Sequence, residues 1–154
     1  VRRLPTPIGE LTLTASDAAL TGIYFPGSRV APPAEHDGPN DILDQACDQL
    51  TEYFAGQRIA FNVPLSAAGS EFEHRVWDLL RAIPYGSTTS YGALAQRLGD
   101  LTLARAVGAA NGKNPIPIIV PCHRVIGTNG DLTGFGGGIE RKRWLLQHEG
   151  VLLI

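Results

Sequence analysis

Apolar and polar positions alternate near the start of the chain. Leu11, Leu13 and Ala15 are separated by Thr12 and Thr14, a period of two that predicts strands in a half-buried sheet. Residues 19–25 predict a second short strand, and residues 58–65 alternate again and predict another. Residues 26–40 carry four prolines and two glycines and predict a loop. The period then lengthens. Leu43, Cys47, Leu50 and Phe54 stand at helical spacing, predicting a helix capped by Asp41, running to about Ala55 and ended by Gly56.

After a linker at residues 64–69 the pattern turns helical. Ser70 and Glu73 form a capping-box signature, opening a helix to about Ile83 with Phe72, Val76, Leu79, Leu80 and Ile83 on its core face. Pro84-Tyr85-Gly86 breaks it. A short helix is predicted from Ser90 to Leu98, ended by Gly99, and another from a Thr102 cap to about Ala110. Two short helices across a tight turn make a helix-turn-helix pattern. The run Ile116–Val120 predicts a buried, extended segment. Asn129-Gly130 predicts a hairpin turn, Gly134 with Gly136-Gly137-Gly138 a loop, and Ile139–His148 a last helix stopped by Gly150.

At 154 residues and 44% hydrophobic content, the chain is long enough for one or two small packed domains. No run of about 20 apolar residues is present, so no transmembrane helix is expected. Arg2 and Arg3 are followed by Pro5 and Pro7, so no signal peptide is read there. Two cysteines do not make a disulfide scaffold. Cys47 reads as a small apolar residue on the buried stripe of its helix.

The net charge of −2 hides an asymmetry. Residues 1–69 hold 4 basic and 8 acidic side chains, and residues 70–154 hold 9 and 7. Within 104–143 there are 6 basic groups (Arg105, Lys113, Arg124, Arg141, Lys142, Arg143) and 2 acidic ones (Asp131, Glu140). That surplus suits a phosphate-bearing partner, bound weakly and with salt sensitivity.

The chemistry concentrates in residues 115–127, Pro-Ile-Pro-Ile-Ile-Val-Pro-Cys-His-Arg-Val-Ile-Gly. Pro121 lacks a backbone N–H and fixes φ, so a regular element ends there and Cys122 is presented at a corner. Thiolate is the reactive form of cysteine, and adjacent basic groups favour it. Cys122 beside His123 and Arg124 therefore reads as an activated nucleophile, and a needed free thiol implies a reducing compartment, hence the cytoplasm.

Pro121-Cys122-His123-Arg124-Val125 resembles the active-site signature of the O6-alkylguanine-DNA alkyltransferases, or methylated-DNA–protein-cysteine methyltransferases. Four further segments match in order: Pro84-Tyr85-Gly86 with Ser90-Tyr91-Gly92, Ala104-Arg105-Ala106-Val107-Gly108, Asn114-Pro115, and Leu145-Leu146-Gln147-His148-Glu149-Gly150. The match is strong over about residues 70–150 and weak over the first 65.

The resemblance implies an α/β (α+β) fold in two parts. Residues 1–65 would form a small α/β domain with an antiparallel sheet. Residues 66–154 would form a mostly helical, winged-helix-like domain that carries the active site. It implies DNA repair by irreversible, stoichiometric transfer of an alkyl group from O6-alkylguanine, and O4-alkylthymine as well, to Cys122. His123 would reach the thiol through a bridging water and Glu149 would orient the imidazole, with His148 the second choice of base. Arg105 would fill the base stack from the minor groove when the target base is flipped out. Tyr91 would crowd the adjacent phosphate and bind the flipped base. Gly92 and Thr128 would touch phosphate, and Asn114 would act as a structural hinge joining the recognition helix to the active-site segment. The carbonyls of Cys122 and Val125 would accept the guanine amine. Gly136, in a loop closing over the base, would offer only its N–H.

No cofactor is expected. Zinc, which some relatives hold in the first domain, is not expected either, because residues 1–69 contain only Cys47 and His36 as soft ligands. The partner is duplex DNA carrying the lesion. A monomer in solution is expected, possible cooperativity on DNA being left open. Three other readings compete. A thiol hydrolase would release product over many turnovers. A lesion-sensing relative would lack Cys122. A plain helix-turn-helix regulator would not need Pro-Cys-His-Arg.

Overall fold

The computed structural model describes residues 1–27, 38–127, 129–132 and 135–151. Most of the 26–40 loop, with His36, and Thr128 and Gly134 lie outside the described residues. The chain divides into two compact units: residues Val1–Ala68 with Pro115–Ile119, and residues Gly69–Asn114 with Val120–Ile154.

In the first unit three strands, β1 (Arg2–Thr6), β2 (Gly9–Ala15) and β3 (Leu20–Tyr24), form an antiparallel sheet in sequence order. β1 was not legible as a separate strand because polar side chains and Pro5 dilute its pattern. It is an edge strand, where a missing N–H is tolerated. Helix α1 (Asp41–Phe54) packs on this sheet. Its cap is Asn40, not Asp41. Asn40 has extended backbone and its side chain accepts from Leu43 N at 2.9 Å, while Asp41 and Asp44 sit in the first turn at the positive pole of the helix. The buried stripe also differs by one position. Leu43, Ala46, Leu50 and Tyr53 are buried, and Cys47 and Phe54 are half-buried at its edge.

Residues 58–65 do not form the expected strand. Phe61, Val63 and Leu65 do turn inward relative to their neighbours, but only a parallel bridge from Leu65 to Leu20 forms. The Gln49 side chain takes the Asn62 N–H instead, at 3.0 Å. Alternation reports burial on one face, which an extended segment satisfies without a ladder.

In the second unit, α2 (Glu71–Arg81) starts with a complete capping box. Glu73 N donates to Ser70 Oγ at 3.1 Å and Ser70 N donates to Glu73 Oε1 at 2.9 Å. The buried residues of α2 are Val76, Trp77 and Leu80; Phe72 and Leu79 are half-buried. Trp77, absent from the expected core face, donates Nε1–H to Ala110 O at 2.9 Å and so ties α2 to the later segment that carries Ala110. Its ring lies so close to Gly69 that a Cβ there would stand 2.4 Å away. Ser70→Ala should lower stability by about 1 kcal/mol. The check is a shifted urea midpoint at constant slope, and an unmoved midpoint would show the box contributes nothing.

Strand β4 (Thr89–Ser90) leads into α3 (Tyr91–Arg97), which Ser90 caps. Gly99 turns the chain at φ 96°. Asp100, rather than Thr102, caps the next turn, accepting from Thr102 N at 2.9 Å. This 3-10 turn, Leu101–Leu103, runs into α4 (Ala104–Gly112). Helices α3 and α4 are the helix-turn-helix pair. Residues 116–120 are buried as expected but not fully extended, because Ile118 takes φ 75°, an unusual conformation for a β-branched residue.

A second 3-10 turn, Cys122–Arg124, opens directly into β5 (Val125–Ile126), which pairs in parallel with β4. The Asn129-Gly130 turn forms, with Gly127 N donating to Asp131 O at 2.8 Å. The described residues contain no antiparallel return strand after it. Helix α5 spans Ile139–His148, as its pattern predicts. Among the described residues no helix is long and apolar enough to cross a membrane.

Candidate active site around Cys122

Pro121 has φ −82° and ψ 65°, an inverse γ-turn, and Cys122 N donates back to Val120 O at 2.8 Å. That bend delivers Cys122, His123 and Arg124 on one short turn. All three are buried, Cys122 at 4% and His123 at 0% exposure. Burial changes the expected chemistry of the thiol. It pushes the Cys122 thiol up to about 11, against the opposing pulls of the Asn114 side-chain hydrogen bond, the Lys142 charge and the residue's own backbone. The neighbouring cations do not win. Cys122 rests as a neutral thiol, contrary to the thiolate that its neighbours in sequence suggest.

The imidazole faces a carboxylate. His123 Nε2 lies 2.8 Å from Glu149 Oε2, so the hydrogen sits on Nε2 and Nδ1 is the acceptor. Nδ1 is buried and has no protein partner. Burial foremost lowers the proton affinity of His123. Glu149 opposes this, and the charges of Arg124 and Lys142 reinforce it. Glu149 is placed by the end of α5. Gly150 N donates to Gln147 O at 3.0 Å and Val151 N to Leu146 O at 2.9 Å, with Gly150 at φ 85°. These bonds form a Schellman stop and leave Glu149 as the buried C-cap residue.

Two cations counted towards a phosphate partner are instead internal. Arg124 donates from Nε to Glu149 Oε1 at 2.7 Å, from Nη2 to Glu149 Oε2 at 3.0 Å and from Nη1 to Ile83 O at 2.7 Å. Its guanidinium also lies 5.7 Å from the centre of the Tyr85 ring. Lys142, at 0% exposure, donates to Val125 O at 2.6 Å, and burial lowers its ammonium to about 8. Charge counting along a sequence cannot see this. Arg105, Lys113 and Arg143 remain exposed, and Arg141, half-buried, donates to Gly137 O at 3.0 Å.

Asn114, just beyond α4, donates from Nδ2 to Val120 O at 2.8 Å and also hydrogen-bonds the Cys122 thiol. Asn111 was missed by sequence reasoning. It is buried on α4 and donates from Nδ2 to Cys122 O at 3.4 Å, with its Oδ1 unpartnered. A polar residue four after Val107 on a buried face was the available signal. Both carbonyls proposed to accept a guanine amine thus already accept hydrogen bonds, Cys122 O from Asn111 Nδ2 and Val125 N, and Val125 O from Lys142 Nζ. A carbonyl has two lone pairs, so a base must share those of Cys122 O.

The remaining sites are spread across the helix-turn-helix. Arg105 is exposed on α4, flanked by exposed Ala106 and Ala109. Tyr91 opens α3 beside Gly108, where a Cβ would stand 3.8 Å from the tyrosine ring. Gly92 is half-buried and Gly136 exposed. The His148 ring, the second choice of base, stacks on Trp144 at 4.8 Å, whereas His123 is the imidazole paired with Glu149. Both cysteines are free. Among the described residues no cluster of three metal-ligating side chains occurs.

Comparison with known proteins meets this geometry. Residues 71–151 match the family described as 6-O-methylguanine DNA methyltransferase, DNA binding domain, and residues 2–67 its ribonuclease-like domain. The methylated-DNA–protein-cysteine methyltransferase of Mycobacterium tuberculosis is 50% identical over 149 residues, 96% of this chain and 90% of that one. The protein of the same name from Shigella flexneri is 56% identical over 108 residues, 70% and 63% of the two chains. The crystal structure of Mycobacterium tuberculosis OGT in complex with DNA superposes with a TM-score of 0.89 at 49% identity, covering 96% and 91%. A buried cysteine followed by a histidine held by a carboxylate, on a chain matched end to end in this way, places the protein in the methylated-DNA–protein-cysteine methyltransferase family.

Proposed function

We propose that this chain repairs DNA by taking the alkyl group of O6-alkylguanine, and of O4-alkylthymine, onto Cys122, once per molecule. The observation that carries the reading is the buried thiol beside the His123–Glu149 pair, in a chain whose relatives bear that activity as their name. Cys122 Sγ attacks the alkyl carbon in line. The S–C bond forms as the C–O6 bond breaks. The thiol proton passes through water to His123 Nδ1 and then to the departing guanine. Thiol sulfur is the side-chain nucleophile suited to saturated carbon, and the thioether that remains is a stable product.

A thiol buried this deeply cannot reach a stacked base, so the target base leaves the helix to meet it. Exposed Arg105 on a helix face of small residues suits a minor-groove approach in which its side chain fills the gap. Tyr91 lies on the neighbouring helix to hold the flipped nucleotide, Gly92 touches phosphate, and Gly136 offers a backbone N–H to the base. Every group the reaction uses falls within residues 66–154, which supports reading that stretch as the DNA-binding and alkyl-acceptor domain. The free thiol favours a reducing, cytoplasmic setting, and the reading takes the chain as a monomer in solution.

The test is intact mass after incubation with a duplex containing O6-methylguanine: one methyl per chain, located on Cys122. Repair of excess DNA by substoichiometric protein would sink the once-only mechanism. Arg105→Ala should slow repair of duplex about 10- to 100-fold but leave a short single strand nearly unaffected, because only a duplex has a stack to refill, at a few kcal/mol. Equal loss on both substrates would make Arg105 a phosphate contact.

A further inference from the structure

We infer that Arg124 is a positioning residue for the transfer. Its guanidinium fork holds both oxygens of Glu149, so that the carboxylate accepts from His123 Nε2 and the imidazole keeps Nδ1 as its free base. The inference rests on Cys122 being the alkyl acceptor, and it concerns how the base that serves it is prepared.

The geometry is closed on every side. Oε1 of Glu149 accepts from Arg124 Nε, and Oε2 accepts from both Arg124 Nη2 and His123 Nε2. Both oxygens are thus acceptors only, and neither offers a proton to the ring. The third guanidinium nitrogen donates to Ile83 O, just beyond α2, and the plane lies over Tyr85. Arg124 therefore joins three segments: its own turn, the end of α2 and the cap of α5. A bidentate fork of this kind fixes orientation as well as charge. A lysine supplies the charge without the fork.

The consequence is electrostatic. A buried histidine paired with a lone carboxylate tends to draw a proton and become imidazolium, which has no lone pair to accept the thiol hydrogen. The charged groups that act on this ring are Glu149 on the cap of α5, Arg124 on its own turn and Lys142 on α5, with Tyr85 beyond α2 lying beside Glu149 and Arg124. Arg124 answers the carboxylate's charge, and Lys142 adds to it. His123 then stays neutral in the resting protein, with Nδ1 buried and open. The clamp makes the ring a weaker base but keeps it unprotonated, which is the state the first proton transfer requires.

The test is nitrogen-15 NMR of histidine-labelled protein, with the His123 signal assigned by its loss in His123→Asn. Wild type should show a neutral Nε2–H ring across pH 6 to 8; an Nδ1–H ring or an imidazolium at pH 7 would overturn the inference. In Arg124→Gln, His123 should take up a proton at higher pH. Single-turnover methyl transfer at pH 7 should fall about tenfold for each unit by which the ring's proton affinity exceeds the working pH, and should recover as pH rises. Binding to lesion-containing duplex should stay close to wild type. Arg124→Lys should fall between the two. Wild-type pH dependence and an unchanged ring in Arg124→Gln would show that the arginine only ties segments together. Should Arg124→Gln fail to fold, the wild-type spectrum and Arg124→Lys decide the matter. A wild-type chain that never gains mass would instead overturn the acceptor reading, and the ring's state would still be read from the spectrum.

Discussion

Cys122→Ser will bind a duplex containing O6-methylguanine and gain no mass, while the wild-type chain gains one methyl, about 14 Da. The substitution changes one atom. A hydroxyl is a far weaker nucleophile towards saturated carbon, and its proton is much harder to remove. The site magnifies that difference, since burial already pushes the thiol up to about 11. The Asn114 side chain and Cys122's own backbone can hydrogen-bond serine as well, so the variant should fold. The same burial gives a second readout. Without DNA, wild-type Cys122 should react with a small alkylating reagent only slowly at neutral pH, the rate climbing towards pH 11, whereas an ordinary thiol gains most of its rate by pH 9. Mass gain in Cys122→Ser, at Cys47 or elsewhere, would sink the assignment of the acceptor.

Glu149→Gln carries the largest combined effect. A glutamine amide offers one acceptor and one donor where three hydrogen-bond donors converge. If its NH2 faces the ring, Nε2 must turn acceptor and the hydrogen moves to Nδ1, the atom proposed to receive the thiol proton. Arg124 meanwhile loses its counter-charge in a buried site, a change that costs about 3–5 kcal/mol. Transfer should slow by about 10²–10⁴, the usual range for a lost general base, while lesion binding persists. Without the carboxylate the thiolate is less favoured, so the apparent pH of reaction should rise and alkaline conditions should restore part of the rate. Arg124→Gln also shifts activity to higher pH, but for another reason. There the ring is protonated, whereas in Glu149→Gln it stays neutral with the wrong nitrogen bearing the hydrogen. Single-turnover rates against pH separate these from a folding defect. Profiles that coincide with wild type except in amplitude would make Glu149 a helix-end residue and nothing more.

How much of this was legible in the sequence depends on the range of the interaction. Local rules read well. The Ser70–Glu73 box and both ends of α5 depend on residues within a few positions of one another. The Pro121 corner is likewise local, since proline alone forbids a regular continuation. Pairings across the fold read poorly. Residues 58–65 alternate because one face is buried, yet the Gln49 side chain rather than a strand meets the backbone at Asn62. Arg124 and Lys142 look like surface cations in a charge count, because nothing in their neighbours announces that Glu149 and Val125 O will meet them. The thiol was misjudged for the same reason. Its sequence neighbours argue for ionisation, and only the packed structure shows that desolvation outweighs them.

The stop of α5 has a reach beyond its own helix. Gly150 touches no side chain of the site, and a Cβ there would meet nothing within 4 Å, so space does not reserve the position for glycine. Its left-handed backbone does. Where the helix ends decides which residue becomes its cap, and the cap is the carboxylate aimed at His123. A punctuation mark of secondary structure thus acts as a sight line. Inserting one residue into α5 ahead of Glu149 would rotate that carboxylate by about 100° around the axis, away from both the ring and the arginine, without altering a single residue that touches the cysteine.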